Sequence, residues 1–128
     1  MAIKVKDWKT LKGLTEVPTH IRMLALQTWM VVRYSEIMIT SAYRAKKIHD
    51  KDSGIAATIP CRHRDFRSWI YEDPQKVVDD INKNWTYDPK RPEYMCAVLH
   101  DVGEGIHIHT QVHDNTLYVG GKTNGVSG

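Results

Sequence analysis

Residues 104–113 read EGIHIHTQVH. Ile106, Ile108, Thr110 and Val112 alternate with His107, His109, Gln111 and His113. A period of two describes a half-buried β-strand. One face of it is apolar. The other carries three imidazoles and an amide, with Glu104 at the entry. Imidazole is a common metal ligand and an acid–base group that works near neutral pH. Such a face can hold a metal, move protons, or simply face water. Alternate strand positions point the same way, about 7 Å apart. His107 and His109 can therefore approach one ion together, or one can ligate while the other handles protons.

The neighbouring sequence supplies a partner strand. MCAVLHDV predicts a strand over 95–101, and Gly103 to Gly105 a tight turn, so the two runs form a hairpin. Upstream, Asp73-Pro74 starts a helix over 74–85, with Asp73 as N-cap and Val77, Val78, Ile81 and Trp85 on one face. RDFRSWI marks a strand over about 64–70. EIMITS, rich in β-branched residues, marks another over 36–41. Pro18 and Thr19 open a helix over 20–34, whose stripe of Ile21, Leu24, Ala25, Thr28, Val31 and Val32 is expected to face the core. His20 reads as a solvated helix residue. Residues 1–17 read as an irregular lead-in. Residues 45–63 form a long connection, a kind of segment that often carries function. This order predicts an α+β fold, a small antiparallel sheet with helices packed on one face. One domain is expected over 1–119, with a flexible tail at 120–128.

Composition sets limits. The chain has 128 residues, 41% hydrophobic and 26% charged, with a net charge of +3. Lys and Arg are mixed with Asp and Glu, which argues against a nucleic-acid partner. No stretch approaches the ~20 apolar residues of a membrane span. The start, MAIKVKDWKTLKG, has no apolar leader core, so synthesis in a cytoplasm is expected. Cys61 and Cys96 read as reduced thiols, not as a disulfide framework. Trp8, Trp29, Trp69 and Trp85 read as core or cleft walls. Asp88-Pro89 and Arg91-Pro92 read as turn chemistry.

Catalytic zinc sites use about three protein ligands and keep one position open. The strand histidines therefore need help from elsewhere, and Asp65 with a histidine of the long connection are the candidates. Glu104 and His107 are the candidate general bases, placed as metal-assisted hydrolysis requires. His100, on the partner strand, and Gln111 can orient the ligands through hydrogen bonds.

The stretches SAYR (41–44), DSGI (52–55) leading to PCRHRD (60–65), and HIHTQV (107–112) together resemble the zinc peptidases of the D-Ala-D-Ala carboxypeptidase and hedgehog-like group. INKNWTYDPKRP (81–92) is similar to bacteriophage-encoded members. The resemblance covers about residues 36–117. It implies a hedgehog or DD-peptidase-like fold and a Zn2+ cofactor. The substrate it implies is a peptide of peptidoglycan, cut in the stem or cross-link. It implies action at the cell wall, after release from the host cytoplasm or as part of a virion. Asp65 and His109 match the metal ligands. Glu104 and His107 match the region that supplies the base. Ser41, Tyr43 and Arg44 match the substrate-binding stretch, where the Arg44 fork suits a carboxylate or an oxyanion.

One position departs from the pattern. The loop histidine expected shortly after D-S-G-I aligns with Ala56, whose methyl group binds no metal. Three readings follow. A ligand has been removed from an active peptidase, leaving zinc binding and activity impaired. Alternatively, the chain is a non-catalytic module that uses the same cleft on cell wall or on a protein partner. In the third, His49 or His63 supplies the missing imidazole.

Overall fold

The computed structural model describes residues 1–45, 55–101 and 105–120. Among these residues it holds three α-helices and a mixed five-stranded sheet. In chain order the elements are β1 (Ala2–Val5), α1 (Trp8–Glu16), α2 (Ile21–Tyr34), β2 (Glu36–Ser41), β3 (His63–Arg67), α3 (Pro74–Asn84), β4 (Trp85–Thr86), β5 (Ala97–His100), β6 (His107–Gln111) and β7 (Leu117–Tyr118). The main sheet runs β1-β2-β3-β6-β5, and β4 pairs with β7 in a separate two-stranded ribbon. β1 is parallel to β2, and the other pairs are antiparallel. The sheet is therefore mixed, not antiparallel throughout. The cause is the N-terminal segment, expected to be irregular, which forms β1 and α1.

Each helix starts on a side chain that meets an orphan backbone N–H. Asp7 accepts from Thr10 N–H in α1, His20 from Arg22 N–H in α2, and Asp73 from Lys76 N–H in α3. His20 is thus a buried cap, not a solvated helix residue, and its Nε2 lies 2.8 Å from Asp114. The α2 stripe also differs from expectation. Met23, Leu26 and Met30 are fully buried, with Val31 nearly so, whereas Ile21, Leu24 and Val32 are exposed. The helix is apolar on two sides, and the side that carries the two methionines fills the sheet face. There Met23, Leu26 and Met30 join Ile37, Ile39, Phe66 and Ile108, with Val77, Val78 and Ile81 of α3. α2 and α3 cover this one face. α1 lies by β1 and β2, with Leu14 against the core and its first turn reaching the opposite side. Gly13 lets it approach, because a Cβ there would stand 3.2 Å from the carbonyl oxygen of Tyr43.

Register decides what the other face carries. Asp65 pairs with His109, Arg67 with His107 and His63 with Gln111 across β3 and β6. His100 pairs with His107 across β5 and β6. Cross-strand partners share a face, so the histidines and Asp65 lie together. On β2 the register slips between Ile39, opposite Phe66, and Ser41, opposite Asp65. Strict alternation would turn Ser41 towards the core with Ile39. The extra residue of this bulge turns it to the Asp65 side instead.

Candidate metal centre

Asp65 is the hub. Its side chain is only 8% exposed, and three imidazoles surround it. His109 Nδ1 lies 3.1 Å from Oδ1, while His63 Nε2 and His107 Nε2 each lie 3.5 Å from Oδ2. Burial alone would raise the Asp65 pKa. The hydrogen bond from His109 and the field of the three imidazoles outweigh it, holding the group below the ordinary carboxylate value. Asp65 is therefore an anion at neutral pH.

His63 is 1% exposed at its side chain, and its Nδ1 is buried without a hydrogen-bond partner. Its Nε2 also lies 3.4 Å from Ser41 Oγ. Burial pushes its pKa down to about 3, against the attraction of Asp65, and the charges of His109, Arg44 and Arg64 push the same way. His63 is thus a neutral imidazole with one lone pair.

Gln111 constrains His109. Its amide nitrogen donates to the carbonyl of Met95 at 3.1 Å, which turns its Oε1 to His109 Nε2 at 3.2 Å. An oxygen there accepts the Nε2–H, so Nδ1 either donates a second proton to Asp65 or, in the neutral ring, turns its lone pair to that carboxylate. A lone pair 3.1 Å from a carboxylate oxygen is repulsive unless a proton or a metal cation lies between them.

The ligand atoms of His63, Asp65 and His109 all lie within 4.8 Å of one another. Two imidazoles and one carboxylate are a donor set that catalytic zinc accepts. His63 Nε2 beside the ionised carboxylate, and His109 Nδ1 facing it from the other oxygen, fit a divalent cation. A second group, His100, His107 and His109, meets the same distance limit.

A cleft of about 410 Å3 opens on this cluster, and Asp65 and His107 belong to both. Ser41, Tyr43 and Arg44 line it from the end of β2, and Arg67 and Trp69 from β3. The opposite wall is the start of α1, with Lys6, Lys9 and Thr10. Arg67 stacks over Trp69 at 4.9 Å. Arg67 and Trp69 continue the alternate positions of Asp65. That spacing is the signal by which the sequence could have disclosed them.

Most residues singled out from the sequence converge here: Ser41, Tyr43, Arg44, Asp65, His100, His107, His109 and Gln111. Three do not. His113 leaves the strand face, since β6 ends at Gln111, and it packs on Tyr87 beside Asp88. Trp8 is 73% exposed and is neither core nor cleft wall. Ala56 is buried in a short turn over Ile55–Ala57, where its carbonyl accepts the Arg44 N–H at 2.8 Å. Glu104 and His49 lie outside the described residues, as does the tail beyond Gly120. Both cysteines are free and buried, and burial raises the Cys96 thiol to about 12. Among the described residues no helix is long and apolar enough to cross a membrane.

Comparison with models of protein families, with characterised proteins and with solved structures returns no match to this chain.

Proposed function

We propose that the protein is a zinc-dependent hydrolase of peptide bonds, with the peptide of peptidoglycan as substrate. The observation that carries the reading is the convergence of His63 and His109 on Asp65, which lines the cleft together with Arg44 and His107. The resemblance to the D-Ala-D-Ala carboxypeptidase and hedgehog-like group, whose fold the chain would share, supports it. Of the three readings of Ala56, the geometry favours His63 as the source of the missing imidazole. The site then needs no residue at position 56.

His63, Asp65 and His109 would hold the ion. When bound, zinc polarises a carbonyl and acidifies water. The chain's own groups supply the rest. Arg44 offers a fixed fork of donors to a substrate carboxylate or to the oxyanion that develops at the scissile carbonyl. His107 Nδ1 faces the carbonyl of Gly105 at 3.3 Å, which places its proton there and leaves Nε2 on the cleft side as a base. Nε2 can take the proton from water and return it to the leaving amine. Ser41 and Tyr43 line the path of the peptide, and Glu104 is a second candidate base from the sequence. The protein would act at the cell wall, after release or within a virion.

The test incubates the zinc-loaded protein with purified peptidoglycan and with peptides ending in D-Ala-D-Ala, and measures new amine. The account expects release that His63→Ala and Asp65→Asn abolish. Zinc-loaded protein that binds the wall but releases no amine would instead favour a non-catalytic binding module.

A further inference from the structure

His100, His107 and His109 form a second donor set, distinct in chemistry from the first. His100 closes β5 and stands opposite His107 on β6. Its ring centroid lies 5.5 Å from those of both His107 and His109. One ligand atom from each of the three falls within 4.8 Å of the others. The Gly105 carbonyl holds the Nδ1–H of His107 and the Gln111 amide oxygen holds the Nε2–H of His109. Each ring therefore keeps one lone pair, fixed by a hydrogen bond at its other nitrogen, as metal-binding histidines have.

We infer that His100, His107 and His109 form a second metal position, suited to a nitrogen-preferring ion such as Cu2+, that cannot be filled together with the first. The first set takes the Asp65 carboxylate and His63, while the second replaces His63 with His100 and His107 and so draws on three imidazoles, with Asp65 beside them. Among first-row divalent ions an all-imidazole set binds Cu2+ most tightly. Exclusion follows from His109, which belongs to both sets. A neutral imidazole has a single lone pair, so it serves one ion at a time. An ion in the second position also occupies His107, the proposed base. Copper would thus inhibit by moving His109 out of the first set. The exclusion rests on the proposed zinc site, but the copper position does not.

The test adds Cu2+ to the full chain already holding one equivalent of Zn2+. It records the electron paramagnetic resonance spectrum and the zinc released to a chromogenic chelator. Couplings from three nitrogens are expected, with about one zinc released per copper bound. His100→Ala should remove one nitrogen and weaken copper binding at least tenfold. His63→Ala, which touches the first set only, should leave the copper spectrum intact. A copper spectrum indifferent to His100→Ala but lost in His63→Ala would overturn the inference, because copper would then occupy the first set. Copper bound with all zinc retained would overturn the exclusion. Failure of zinc to bind at all, with the three-nitrogen spectrum present, would overturn the proposed hydrolase and the exclusion and leave the copper position standing.

Discussion

Lowering the pH should destabilise the metal-free protein through His63 in particular. The folded protein holds this imidazole neutral, with its pKa pushed down from 6.5 to about 3. The unfolded chain gains the proton that the folded chain refuses. A group of this kind contributes its full stability above pH 6.5, and that contribution falls as pH drops from 6.5 towards 3. Between pH 8 and pH 5 the loss is 1.36 kcal/mol per unit over about 1.5 units, or about 2 kcal/mol. No discount for solvent screening applies, because the side chain is 1% exposed. Urea denaturation of the metal-free protein at pH 8 and pH 5, beside His63→Gln, isolates the effect, since the other titrating groups are common to both. The variant should lose about 2 kcal/mol less than the parent over that interval. Equal losses would refute the reasoning, and a smaller loss in the parent would show that Asp65 stabilises a protonated His63.

Other substitutions probe the supports of the site. Gln111→Leu removes the acceptor that holds the His109 Nε2–H, and zinc affinity measured by competition with a chelator should fall about 10–100-fold. Ala56→His places an imidazole where the alanine is 2% exposed. It should cost about 1–3 kcal/mol in denaturant unfolding through overpacking, with no gain in zinc affinity. Arg44→Ala should lower kcat/KM on peptides ending in a free carboxylate by about 2–3 kcal/mol, and much less on amidated ones, the usual scale for hydrogen bonds to a charged group.

Much of this fold is legible in the residues. β2 spans the run EIMITS as expected, α3 begins at its Asp73 cap, and β5 and β6 form the expected hairpin. What escapes the sequence escapes for physical reasons. β1 is an edge strand of only Ala2–Val5 without a buried residue, and α1 is a nine-residue helix that buries only Thr10, so neither is announced by a run of core residues. α2 carries two apolar stripes, and only packing chooses between them. In the site, the His face of β6 and Asp65 are readable from period two, because cross-strand register keeps them together. Ser41 is not, since the bulge at Ile39–Ser41 breaks the alternation that would place it. His63 reads as loop because the connection before it is long, yet it is the first residue of β3 and shares the face of Asp65. Cleft walls from α1 join the site only through the tertiary fold.

The central claim is that His63 completes a metal site with Asp65 and His109. Zinc titration by calorimetry, on the parent chain and on His63→Ala, tests it most directly. The account predicts one zinc per chain for the parent and at least 100-fold weaker binding for the variant, since removing a ligand should cost no less than disturbing one that orients it. Equal affinity in the two proteins would contradict it and return the third ligand to another residue.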